Sequence, residues 1–176
     1  MVDETAFKEL MTRVPSPVAV ITTLTPSGLP YGSTVGAFMS LSLRPPMVVA
    51  ALDRRSQLLA HAQVSHRIGI NVLCGDAGRT AANFARADAS KFDGVDWILD
   101  HGLPRLHPVC AWLVCEIASI VPGGDHLLLL SEVTAGELSD EPPLTYAART
   151  FGTHLPVQQR VTLPPLQVST HGNAVF

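Results

Sequence analysis

The stretch that most constrains this chain is PVCAWLVCEIASIV-PGGD-HLLLLSEVTAGEL, residues 108 to 138, where two long β-prone runs flank four turn-forming residues. So short a connection cannot carry a crossover between parallel strands, so the runs pair antiparallel as a hairpin. An isolated hairpin is marginal in water, so further strands must pack on this one.

The rest of the chain supplies them. PVAVITTLT (17 to 25) is rich in β-branched residues, Pro26-Ser27-Gly28 is turn chemistry, and TVGAFMSLSL (34 to 43) runs up to Pro45-Pro46. MVVAAL (47 to 52) and RIGINVLC (67 to 74) read as buried strands. Helical patterns are fewer. DETAFKELMTRV puts Phe7, Leu10, Met11 and Val14 on one stripe behind an Asp3 cap, SQLLAHAQV spans 56 to 64, and DAGRTAANFARAD spans 76 to 88 with Asp76 as its cap. Residues 89 to 108 carry Gly94, Gly102, Pro104 and Pro108 and predict no regular element. Strands that are mostly neighbours in sequence, with too few helices for repeated βαβ units, predict a mainly β fold: a small antiparallel barrel with helical insertions. A chain of 176 residues, 47% hydrophobic, holds one core, assigned to residues 1–154. The proline-broken segment 155–176 is expected to be an extended or disordered tail.

Several function classes drop out. A formal charge of -3 and no basic run argue against nucleic acid and anionic membranes. MVDETAFKEL is acidic and periodic, unlike a signal peptide, and no apolar run is longer than a strand, so a cytoplasmic protein is expected. Cys74, Cys110 and Cys115 form no C-x-x-C and read as reduced thiols, and the seven histidines include no metal-binding pair, so no metal site is expected. G-x-G-x-x-G, the P-loop and G-x-S-x-G are all missing.

Residues 34 to 43 raise a question of their own. With a period of two, Val35, Ala37, Met39, Leu41 and Leu43 form a face expected to enter the core. The other face, Thr34, Gly36, Phe38, Ser40 and Ser42, is neither apolar enough for a core nor charged enough for an ordinary solvated face, which leaves its small hydroxyls and glycine to be explained. Asp53-Arg54-Arg55-Ser56 enters a helix, where free amides and two arginines favour an anion, although a capped helix with solvated arginines is the plainer reading. Ser90-Lys91-Phe92 sets a cation beside an aromatic ring, and His126 follows Gly123-Gly124-Asp125 at a hairpin end, where it either faces a cleft or finishes a turn.

Taken in order, V-A-V-I-T-T, T-V-G-A-F-M-S-L-S-L-R-P-P, A-L-D-R-R-S, I-N-V-L, S-K-F-D-G-V-D-W and G-G-D-H resemble the flavin reductase family of FMN-binding split-barrel proteins, over about Val14 to Phe151. The resemblance implies a six-stranded antiparallel split β-barrel, a homodimer with flavin near its interface, and reduction of FMN, or alternatively FAD, by NADH or NADPH. It also implies delivery of reduced flavin to a partner monooxygenase. Thr34, Val35, Gly36, Ala37, Ser40, Leu41 and Ser42 would line the ring and ribityl chain. Asp53, Arg54, Ser56, Lys91 and Phe92 would hold the phosphate side, His126 would face the nicotinamide, and Arg149 with Phe151 would close the same cleft. Gly36 stands where such proteins often have a larger polar residue, and Arg44 where an acid is common. An FMN-binding electron carrier without free-flavin reductase activity is the alternative, and a barrel that binds another planar ligand remains open on the residues alone.

Overall fold

A computed structural model describes residues 1–87 and 90–156; the remainder of the expected tail, from residue 157, lies outside the described residues. The chain begins with α1 (Glu4–Met11), capped by Asp3, whose carboxylate accepts from Ala6 N at 2.8 Å. Then come β1 (Ser16–Pro17), β2 (Ala19–Leu24), β3 (Pro30–Val35), β4 (Phe38–Leu43), β5 (Pro46–Asp53), α2 (Gln57–Ser65), β6 (Arg67–Leu73) and α3 (Gly78–Phe84). The short pair β7 (Trp97–Asp100) and β8 (Leu103–Leu106) precedes the long hairpin β9 (Val109–Gly123) and β10 (His126–Leu138), and β11 (Leu144–Ala147) and β12 (Thr150–Thr153) follow it.

Seven strands form the main sheet in the order β3-β2-β6-β9-β10-β5-β4, every neighbouring pair antiparallel. Strands β3 and β4 are joined by only Gly36 and Ala37, yet they occupy opposite edges of that sheet. Two residues reach no more than about 10 Å, so the sheet curls until its edges meet at this link. The two edges share no ladder, so the barrel does not close. The expected six-stranded barrel is therefore corrected to an open, curled seven-stranded sheet. The extra strand arises because the stretch expected to be one strand breaks at Gly36-Ala37 and gives one edge to each side.

Successive residues from Val18 into β2 serve opposite faces. Ala19 and Ile21 join one apolar cluster with Leu58, Ile70 and Leu129, while Val18 and Val20 join another with Phe84, Trp112 and Leu144. A strand covered on both faces reads as a continuous apolar run, which is how VAVIT reads. The buried Asn71 holds β8 against the sheet: its amide donates to Val20 O and its oxygen accepts from Leu106 N at 2.8 Å.

Four local expectations fail, the first being that residues 89 to 108 hold no regular element: they carry the antiparallel pair β7 and β8, joined by a tight turn at His101-Gly102. Met39, Leu41 and Leu43, assigned to the core by periodicity, are exposed, and Phe38 packs inward instead. A register shift between Ser40 and Ser42 marks a bulge that breaks the alternation. The apolar stripe of α1 is also uncovered, and the helix buries none of its residues. Asp76 does not cap α3, which starts behind Ala77 with no side-chain cap. No helix among the described residues is long and apolar enough to cross a membrane.

Candidate functional site

The Gly36-Ala37 link opens on two adjoining hollows that share Thr34 and Gly36. The first, of about 280 Å³, lies between the end of β3, the end of β5 and the start of α2, and its wall includes Ser33, Thr34, Gly36, Asp53, Ser56 and His126. The second, of about 420 Å³, runs from Thr34 and Gly36 past Pro17 and Val18 to Tyr146, Arg149 and Phe151. One end is thus rich in hydroxyls and charge, and the other is walled by an aromatic pair, with Tyr146 and Phe151 edge to face at 5.2 Å.

At the polar end, Ser56 caps α2, its side chain accepting from Leu59 N. The free amides of that first turn carry the positive end of the helix dipole. Asp53 accepts from Arg55 through both carboxylate oxygens, at 3.2 and 3.0 Å, and from the Arg55 backbone. Those bonds hold its carboxyl down at about 2. Arg54 turns the other way: its Nε donates to Gly124 O at 2.9 Å and its backbone N–H to Asp125 O, tying this corner to the β9–β10 turn. His126 opens β10 opposite Asp53 in the ladder, with its Nδ1 2.8 Å from Asp125 Oδ1. That contact lowers the pKa of Asp125, first by the hydrogen bond and then by the imidazole charge.

At the aromatic end, β11 and β12 are joined by Ala148 and Arg149 alone, both at positive φ (49° and 60°). This is the backbone of a tight hairpin turn that favours Asn or Gly, so two ordinary side chains here are held under strain. What holds them is α1: Ala148 N donates to Thr12 O at 2.7 Å, and the Arg149 guanidinium pairs with Glu9.

The structure therefore brings together Thr34, Val35, Gly36, Ala37, Asp53, Ser56 and His126 in one hollow and Arg149 and Phe151 in its neighbour. Ser40, Leu41 and Ser42 stand apart on the exposed edge strand β4, where Ser42 Oγ accepts from Arg44 N at 3.2 Å. Lys91 and Phe92 are likewise absent from both walls. Phe92 packs edge to face with Phe84 and Trp97 in the core, and Lys91 is buried with its ammonium on two backbone carbonyls. A buried ammonium needs acceptors, and here it finds them in the protein. Sequence reasoning missed Ser16, Pro17 and Ser33; the two residues of β1 are too short to show any period.

A flat ring with a polar edge and a phosphate tail suits this arrangement. Gly36 lets the wall approach closely, since a Cβ there would lie 3.3 Å from Pro17 O. Hydroxyls and helix amides stand at one end and the aromatic pair at the other.

Comparison with known proteins points the same way. Residues 11–154 match the flavin reductase like domain family. The flavin reductase (NADH) of Kitasatospora aureofaciens is 32% identical over 177 residues, covering 98% of this chain and 92% of its own. The reductase component of the 4-nitrophenol 4-monooxygenase/4-nitrocatechol 2-monooxygenase of Rhodococcus opacus is 31% identical over 96% of this chain and 92% of its own. Among solved structures, the NADH:FAD oxidoreductase SgcE6 of Streptomyces globisporus C-1027, in complex with NAD and FAD fragments, superimposes with a TM-score of 0.80 at 26% identity. It covers 88% of this chain and 94% of that one.

Proposed function

Because the chain belongs to the flavin reductase-like family it is an oxidoreductase that reduces flavin, and we propose that it binds FMN, or FAD in its place, and draws the electrons from NADH in preference to NADPH. The reduced flavin passes to a partner monooxygenase, the role named for several relatives. The observation that carries this reading is the two-ended cleft at Gly36-Ala37, polar toward α2 and aromatic toward β12.

When bound, the flavin supplies the two-electron chemistry, accepting a hydride equivalent from the dihydronicotinamide at its ring. The chain's own work is to bind and orient. Thr34 to Ala37 offer backbone at close range along the ring. The α2 amides and Ser56 receive the phosphate, and Arg54 braces that corner from the Gly124 side. Phe151, against Tyr146, gives an apolar face for a stacked ring, and His126 faces the nicotinamide side. Holding two planar rings in contact converts an encounter into an intramolecular step, which accounts for much of the rate gain available here.

We also propose that a second copy of the chain completes the site. Next to the cleft, a hollow of about 590 Å³ is walled by Met11, Val14, Phe38, Met39, Val49 and Leu128, continuous with the uncovered stripe of α1 and the outer face of β4. An apolar surface of that extent on one protomer asks for cover. Ser40 and Ser42 would then act on the flavin from this interface. The free, buried cysteines suit a reducing compartment, and we read that compartment as the cytoplasm.

The test is an anaerobic assay of NADH and then NADPH oxidation with FMN, FAD and riboflavin supplied in turn. Oxidation that depends on added flavin is expected, fastest with NADH and FMN. Absence of oxidation by a protein that keeps FMN through dialysis would overturn the reductase reading in favour of an electron carrier.

A further inference from the structure

The one buried lysine among the described residues stands just behind the cleft wall. Lys91 is 5% exposed; its ammonium donates to Gly32 O at 3.2 Å and to Phe84 O at 3.1 Å and lies 5.5 Å from the centre of the Tyr31 ring. Those contacts join two elements. Gly32 belongs to β3, two residues before Thr34, and Phe84 is the last residue of α3, where unpaired carbonyls favour a cation. The same seam carries Thr34 Oγ1 donating to Ala81 O at 2.7 Å, and Asn83 Nδ2 donating to Lys91 O at 2.6 Å. His61 of α2 also meets the Tyr31 ring, edge to face at 4.8 Å. Strand β3 is an edge, paired in the main sheet only with β2, so little else in that sheet fixes where its last residues stand.

We infer that Lys91 is a positioning residue for the flavin wall: it clips β3 to the end of α3 and so sets Thr34 to Ala37, and it does not bind the flavin phosphate. The inference rests on the proposed flavin site. Geometry favours the clip because the Lys91 side chain is enclosed and its ammonium already has two carbonyls and an aromatic face. To meet a phosphate it would have to leave all three. The wall itself depends on the seam, since Ala85, the residue after Phe84, lines the same hollow as Thr34 and Gly36.

Lys91→Met and Lys91→Arg in the full chain separate the two roles. Binding of FMN and of riboflavin, which lacks the phosphate, is measured by quenching of flavin fluorescence. Turnover with NADH is followed at saturating flavin, and amide hydrogen exchange is followed across residues 31–37. For a clip, Lys91→Met weakens both flavins by the same factor, about tenfold, lowers kcat at saturating flavin, and speeds exchange at 33–35 while the thermal midpoint stays well above the assay temperature. Lys91→Arg, whose planar fork does not fit a seat built for a compact ammonium, shows the same equal loss in smaller degree. A loss at least tenfold greater for FMN than for riboflavin in Lys91→Met overturns the inference. So does binding of both FMN and riboflavin at the unsubstituted level in Lys91→Arg, because arginine serves a phosphate at least as well as lysine. Unchanged exchange at 33–35 in Lys91→Met overturns it as well, and this arm needs no flavin. If the unsubstituted protein binds neither flavin, the site reading fails, while the exchange measurement still decides whether the clip exists. Should Lys91→Met fail to fold, Lys91→Arg carries every comparison.

Discussion

Strands β3 and β4 are consecutive in the chain, similar in length and both at the edge of one sheet, yet they meet opposite surroundings. Thr34 and Ser33 of β3 donate to carbonyls of α3, and its last residues wall the cleft. In β4, Met39 is 62% exposed and Leu43 79% exposed, and of the serines between them Ser40 is exposed while Ser42 is half-buried and accepts from Arg44 N. The difference shows how a bare edge is managed. One edge is covered from within, by a helix end and a buried lysine; the other keeps apolar side chains for cover from outside, which we assign to a second protomer.

The comparison is broken most sharply at the link between the two strands. Gly36 has no positive φ, so its backbone tolerates a side chain, but a Cβ would lie 3.3 Å from Pro17 O and further atoms would enter the hollows on either side. Gly36→Leu is expected to cost about 100-fold in flavin affinity, or about 2.7 kcal/mol, with the thermal midpoint nearly unchanged. Titration by flavin fluorescence, beside a melting curve, tests this. Normal affinity would remove the cleft from consideration.

On the β4 side, Met39→Glu with Leu43→Glu puts two charges on the face assigned to the second copy. Each apolar side chain of this size contributes about 1.5–3 kcal/mol when buried, so the dimer constant should weaken by at least about 100-fold. Sedimentation velocity of the two proteins at equal concentration reads the outcome. A monomer before substitution, or a dimer that survives it, would show that β4 is covered by something else.

Much of the fold was legible beforehand, and the failures have physical causes. The β9–β10 hairpin, the α2 segment and the Asp3 cap follow from local patterning. The β7–β8 hairpin did not: its turn is His101-Gly102, both at positive φ (47° and 76°), and the prolines around it masked a two-residue hairpin signal. The periodicity of 34 to 43 placed Val35 in the core correctly but not Met39, Leu41 and Leu43, because the strand breaks at Gly36-Ala37 and bulges after Ser40, so no single alternation runs through it. For the site, Thr34 to Ala37, Asp53, Ser56 and His126 do converge. Lys91 does not join them, because a sequence shows that a cation is near an aromatic ring but not that its ammonium is already occupied.

Smaller effects separate the cleft wall from the outer face of β4. His126→Ala should raise the KM for NADH by about tenfold, losing about 1.4 kcal/mol, with flavin affinity unchanged. An unchanged KM and kcat would exclude it from the nicotinamide side. Ser40→Ala should weaken FMN only a few-fold, and only in the dimer; equal binding by the monomeric β4 variant with and without this change is the matching control.

The smallest effect belongs to Asp53, at the end of β5 where the two edges come together. The Arg55 guanidinium and backbone N–H hold its carboxyl at about 2, below its ordinary 3.8. A depressed value in the folded state means that the pair adds stability above the unfolded value and loses it as pH falls from about 4 toward 2. Both groups are exposed, so that contribution is slight. Asp53→Asn should therefore flatten the acid limb by lowering the neutral plateau slightly, leaving stability near pH 2 unchanged. At neutral pH the same substitution releases Arg55 toward the helix start, and FMN binding should tighten by less than threefold while riboflavin binding does not change. Equal tightening of both flavins would mean that the phosphate lies elsewhere and that the α2 corner serves only to hold the β9–β10 turn in place.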